Sequence, residues 1–166
     1  MRNLVPGRAF ALASALATAG SFAAVALASP ASAKPRTFVA CAHLNAPAPK
    51  HHVTRAATLS GCTAPKATGG GGRINTLVTA PGSGHATIRW NKAGSTTIFD
   101  YKVFVDTDPD ETRGCPAHTK EFVVMGQVSG GSGAAASLIP IGQPISAGIC
   151  VSTKRLINEP GTKFKI

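Results

Sequence analysis

The chain is short of acids, aromatic rings and helix formers. Of its 166 residues seven are acidic, against 17 Lys and Arg, for a net charge of +10. It has one Trp, one Tyr and seven Phe. A glycosidase working through paired carboxylates would have few acids to draw on. A nucleic-acid binder that stacks bases on rings interleaved with basic residues would have few rings, and no nucleic-acid partner is expected. From Lys34 onward there are five Leu, three Glu, two Gln and one Met, a composition poor for helices. No Cys-x-x-Cys occurs, so the closely spaced thiolates of a structural zinc site are missing.

The long apolar stretch, Ala9–Ala28, stands near the N-terminus. Arg2 and Arg8 flank its start and Ala31-Ser32-Ala33 follows it, the three parts of an export signal. Residues 1–33 are therefore expected to be a cleaved signal helix, and 34–166 a single domain that is not an integral membrane protein. The stretch is rich in Ala, which is too weakly hydrophobic to favour a permanent anchor. Phe38-Val39-Ala40-Cys41 loosely resembles a lipidation site, but Lys34 and Arg36 separate it from the apolar stretch. Without Arg2 and Arg8 the net charge is +8. Leu, Ile, Val and Phe then make up about a fifth of the residues, a lean core close to the range where chains stay unfolded.

Four cysteines remain: Cys41, Cys62, Cys115 and Cys150. An even number in a small exported chain reads as two disulfides. Pairing Cys41 with Cys62 and Cys115 with Cys150 is favoured, because each bridge then brackets one contiguous stretch. Each would stabilise by about 3–4 kcal/mol through loop closure. All four thiols would be consumed, which disfavours a cysteine nucleophile.

Val, Ile and Thr dominate the remainder, punctuated by Gly and Pro, the composition of short strands and turns. Phe99, Tyr101, Val103 and Val105 alternate with polar residues, as do Ala86, Ile88 and Trp90 around Thr87 and Arg89. Asn91–Gly94 makes a turn between them, so the pair predicts a hairpin. Phe122–Val128 and Ile145–Val151 alternate likewise. Weaker strands are expected at 37–44, 53–59, 74–79, 135–139 and 163–166. Loops are expected at 64–73 and at the Gly130–Gly133 run. The fold class is all-β: an antiparallel sandwich, or short barrel, of about 7–9 strands.

Few constellations carry chemistry. Asp106, Asp108 and Asp110 alternate as in a calcium loop. However, Glu111 stands where the turn glycine belongs and Ala117 where a bidentate Glu belongs, so a solvated acidic loop is expected and no metal. Gly130–Ala134 falls one residue short of a nucleophile elbow, and no His is placed beside Ser132. Neither glycine run sits in a phosphate-binding context. No enzyme activity and no cofactor are expected. Five of the seven acids lie between Asp100 and Glu111, leaving the rest of the chain basic, with Lys154, Arg155, Lys163 and Lys165 near the C-terminus. Those four are the candidate patch for an anionic envelope component or extracellular protein.

Leu59-Ser60-Gly61-Cys62, Gly114-Cys115, Ile149-Cys150-Val151 and Glu159-Pro160-Gly161-Thr162 give the chain a likeness. It resembles small secreted, disulfide-containing proteins of mycobacteria and related high-GC bacteria. The resemblance implies a disulfide-stapled β-fold and a place outside the cell or in its envelope, and it brings no catalytic residues. The expected function is non-enzymatic binding of an anionic partner. The alternative is a carrier holding a small apolar ligand in an enclosed cavity, and a small hydrolase is the third reading.

Overall fold

Alternation places one face of each strand inward, and a closed ring of strands buries all of those faces at once. The computed structural model describes residues 36–107 and 114–166. The expected signal helix lies outside them, as do Asp108 and Asp110. Nine strands form: β1 (Ala40–Pro47), β2 (Val53–Cys62), β3 (Gly71–Val78), β4 (Gly82–Trp90), β5 (Thr96–Val105), β6 (Lys120–Ser132), β7 (Pro144–Val151), β8 (Arg155–Asn158) and β9 (Phe164–Lys165). Two short helices join them, α1 (Pro65–Thr68) and α2 (Gly133–Leu138). Each of β1 to β7 pairs antiparallel with the next, and β8 returns to β1. The fold is thus an eight-stranded closed barrel with one extra strand, not two packed sheets.

β9 shares the place of β8. Both lie between β7 and β1, β8 against Asn45–Pro47 and β9 against Ala40 and Cys41. They act as one strand interrupted by the loop from Glu159 to Lys163. Asn158 bridges the interruption. Its Oδ1 accepts the Leu44 N–H at 3.0 Å, and its Nδ2 donates to Ala42 O and Thr162 O at 3.3 and 2.9 Å. One side chain thus replaces the ladder bonds that the broken strand would have made to β1.

Side chains fill the lumen. Phe99 on β5 and Phe164 on β9 come from opposite walls, with ring centroids 6.3 Å apart, and both are fully buried with Leu44, Ile74, Ile88 and Ile149. Tyr101 crosses beneath β4 to β3, where its hydroxyl accepts the Val78 N–H at 2.8 Å. It stands in register between Gly84 and Gly126. A Cβ on Gly84 would strike the tyrosine ring, so the crossing requires glycine there.

The two ends differ. α1 and α2 close the end where β1 starts and β2 finishes. Buried Ser95 joins them, donating to Ala67 O and accepting the Ala135 N–H, both at 2.9 Å. Cys41–Cys62 links register partners at this end, and Cys115–Cys150 ties the loop before β6 to β7 toward the other. The pairing is the one the spacing favours, and two formed disulfides place the chain in an oxidising environment.

Three local expectations are overturned. Residues 135–139 lie mainly in α2, because Ala134-Ala135-Ala136 favours helix over strand. The 64–73 loop contains α1 and the start of β3. There a Cβ on Gly71 would strike Leu59 O, and one on Gly72 would strike the Trp90 ring, so these glycines permit close strand approach. The Gly130–Gly133 run does not break its strand, since β6 continues through Ser132.

Replacing Asn158 with Ala orphans the Leu44 N–H and the Ala42 carbonyl, and is expected to cost about 2–4 kcal/mol in urea unfolding; a loss under 1 kcal/mol would show that the closure does not rest on this side chain. Burial pushes the Tyr101 phenol up from its ordinary 10.0, partly offset by the Val78 hydrogen bond. A raised folded-state value means stability is intact below pH 10 and falls as pH rises through the titration. Alkaline unfolding should therefore show this fall in the native protein and lack it in Tyr101→Phe.

Candidate functional site

With the lumen filled, the sites open to a partner are the outer face and the open mouth. No helix among the described residues is long and apolar enough to cross a membrane. The outer face presents exposed Arg73, Arg89, Asp100, Lys102 and Lys165, with Phe104 and Met125 exposed as well.

The four C-terminal basic residues divide into two pairs. Lys154 and Arg155 stand at the open end, where Arg155 is opposite Pro47, while Lys165 is opposite Ala40. Seven residues of β1 separate those positions, about 23 Å at strand rise. The broken strand thus carries Lys163 and Lys165 toward the helix-capped end and keeps them from Lys154 and Arg155.

A tighter cationic group forms on β3 and β4. Arg73 and Arg89 are direct register partners and both are exposed. Residues placed so have Cβ atoms about 5 Å apart, and like charges there repel. Among the described residues the ion pair on this face is His85–Asp100, and neither guanidinium is ion-paired to a described carboxylate. Lys92 follows on the β4–β5 turn, and its N–H reaches Thr68 O on α1 at 3.4 Å, bringing the helix that carries Lys66 to the same corner. The alternation of Ala86–Trp90 placed Arg89 outward. Its partner could not be read, because Arg73 lay in an expected loop and the register is a property of the folded sheet.

Farther along the outer face, His85 Nδ1 lies 2.7 Å from Asp100 Oδ1. Hydrogen bonds from His85 and then Ser129 hold the Asp100 carboxyl below its usual range. The pair sits in an open groove of about 720 Å³ with Phe104 and Met125. Asp100 orients the imidazole, and the Ser129 hydroxyl shares the same carboxylate. Ser132 is elsewhere, donating to Gly94 O at 3.0 Å and hydrogen-bonded to Thr96.

Of the calcium candidates, Asp106 is described. It gathers with Glu121 and Glu159, whose carboxylate oxygens lie within 4.8 Å of one another. This grouping joins residues from three separate segments and differs from the alternating loop in the sequence.

The open mouth holds a basin of about 770 Å³. Val105, Phe122 and Val151 make its apolar lining, and His52, His118 and Lys120 stand among its polar residues. Neither histidine was singled out in the sequence, because turns that lie far apart along the chain bring them together.

No protein-family model, curated protein or solved structure matches the chain.

Removing the imidazole with His85→Ala should raise the Asp100 titration toward the ordinary carboxylate range in carbon-13 NMR. Because the folded-state value is depressed, the stabilisation is present above the unfolded carboxylate value and lost as pH falls through the folded one. An unchanged Asp100 titration would refute the assignment of the shift to His85.

Proposed function

We propose that the chain is an exported, non-enzymatic protein that binds an anionic polymer of the envelope or extracellular space through the β3–β4 face. The observation that carries this is Arg73 directly opposite Arg89, neither ion-paired to an acid among the described residues. Folding alone gives no reason to place two guanidinium groups there, since they cost stability until an anion bridges them. Guanidinium is suited to phosphate, sulfate or carboxylate oxygens because its fixed fork can donate two hydrogen bonds at once. A net charge of +10 over the whole chain raises the encounter rate with any such polymer. The signal-like N-terminus, the two disulfides and the resemblance to secreted proteins support the location.

A polymer fits better than a lipid bilayer. Among the described residues the exposed large apolar side chains are Phe104, Val105, Met125 and Ile141, and none is on β3 or β4. A membrane-binding face would carry such groups among its cations to enter the interface. The non-catalytic reading rests on the consumption of all four thiols in disulfides and on the engagement of Ser132 by backbone and Thr96.

The test measures binding of long-chain polyphosphate, polyglutamate and phosphatidylglycerol vesicles at two salt concentrations. Polyanion binding should weaken steeply as salt rises. Arg73→Ala with Arg89→Ala should lower it at least tenfold, since a charged hydrogen bond contributes about 1.5–3 kcal/mol. Lys163→Ala with Lys165→Ala should change it far less. Salt-insensitive binding, vesicle binding stronger than polymer binding, or an unaffected arginine variant would each overturn the proposal.

A further inference from the structure

We infer that the open mouth of the barrel is a separate binding site for a small apolar molecule bearing a hydroxyl group. The first observation is the basin itself. Its 770 Å³ falls within the usual range for small-ligand sites, and barrel mouths are favoured places for them. Val105 is 54% exposed although its strand parity points it inward, so the basin opens onto an apolar surface that the filled lumen does not cover. Phe122 and Val151 continue that surface.

The second observation is independent of shape. Among the described residues two buried side-chain polar atoms lack a hydrogen-bond partner, Thr79 Oγ1 and Glu121 Oε1. Thr79 lines this basin, whereas Glu121, next to inward-pointing Phe122, turns its carboxylate to the outer side of the strand to gather with Asp106 and Glu159. Thr79 is 3% exposed, and its N–H is held by His52 O at 2.8 Å, so its place beside the histidine turn is fixed. Buried polar atoms are ordinarily paired, and exceptions ask for a reason. A threonine hydroxyl takes a donor or an acceptor. A ligand hydroxyl offers both. The unpaired group is an uncharged hydroxyl, which favours a neutral partner over an anion or a cation.

The third observation is backbone strain. His51 and His52 are the two central residues of the β1–β2 hairpin, closed by Lys50 and Val53, whose N–H groups donate to each other's carbonyls at 2.8 and 3.0 Å. Their φ angles are 51° and 61°. Hairpin turns with two such residues strongly prefer Asn-Gly. His118, also on the basin, has φ 65°. Left-handed strain at ordinary side chains collects at binding sites. Here turn chemistry gives way to imidazoles at two positions on one cavity.

The experiment titrates the whole oxidised protein with octan-1-ol, followed by amide NMR, with octanoate and octylammonium in parallel. Octanol should give saturable shifts at Val105, Phe122 and Val151 and bind more tightly than either ion. Thr79→Val removes the unpaired hydroxyl at constant shape; it should keep the melting temperature or raise it, and weaken octanol several-fold. His51→Asn with His52→Gly should raise the melting temperature by roughly 3–8 °C and likewise weaken octanol. Because both variants are expected to fold at least as well as the parent, a loss of binding reports on the site. Arg73→Ala with Arg89→Ala should leave octanol binding unchanged. Absence of saturable shifts at the mouth, shifts confined to Phe104 and Met125, tighter binding of an ion, or full binding in both mouth variants would each overturn the inference.

Discussion

Everything in this molecule depends on the closure of its sheet between β1 and the broken strand β8–β9. An open sheet of eight short strands would leave two edges with unpaired backbone groups. Closure removes both, but the last strand is too short to span the barrel alone. The chain leaves β1 after Asn158, loops out, and returns as Phe164 and Lys165. Asn158 holds the gap with an amide whose donors and acceptor match those of a peptide group. The same return delivers Phe164 to Phe99 across the lumen, so closure and core filling are one event.

The lumen is filled by the Phe99–Phe164 contact and its aliphatic neighbours. The open surfaces are the outer face, where alternation presents charge, and the mouth, which no helix among the described residues caps. The capped end is committed to structure: a buried serine joins two short helices and a disulfide stands beside them. The lean core is consistent with this design, since a small barrel fills with few side chains and the disulfides add stability without apolar volume.

Local patterns were legible where one face of a strand is buried and the other wet. Phe99–Val105 alternates cleanly because β5 lies between two long neighbours, and Ile145–Val151 does so for the same reason. Legibility failed at glycine and alanine. Gly71, Gly72 and Gly131 read as loop, yet each lies in a strand where a neighbour presses on the Cβ position. The run after Gly133 read as strand by spacing, although alanine supplies helix propensity instead. β8 was missed outright. Its four residues carry too little pattern, and partners on both sides define it as a strand.

The sequence alone determined the export-like N-terminus, the all-β class, the disulfide pairing and the excess of positive charge. These follow from composition, local spacing and the parity of side chains along a strand. Tertiary structure decided between sandwich and barrel, separated the C-terminal lysines into two ends, set Arg73 against Arg89, and brought His52, His118 and Thr79 to one basin. Each of those outcomes depends on register between segments tens of residues apart. Register is set by the cooperative closure of the whole sheet, a property no local window of the chain contains.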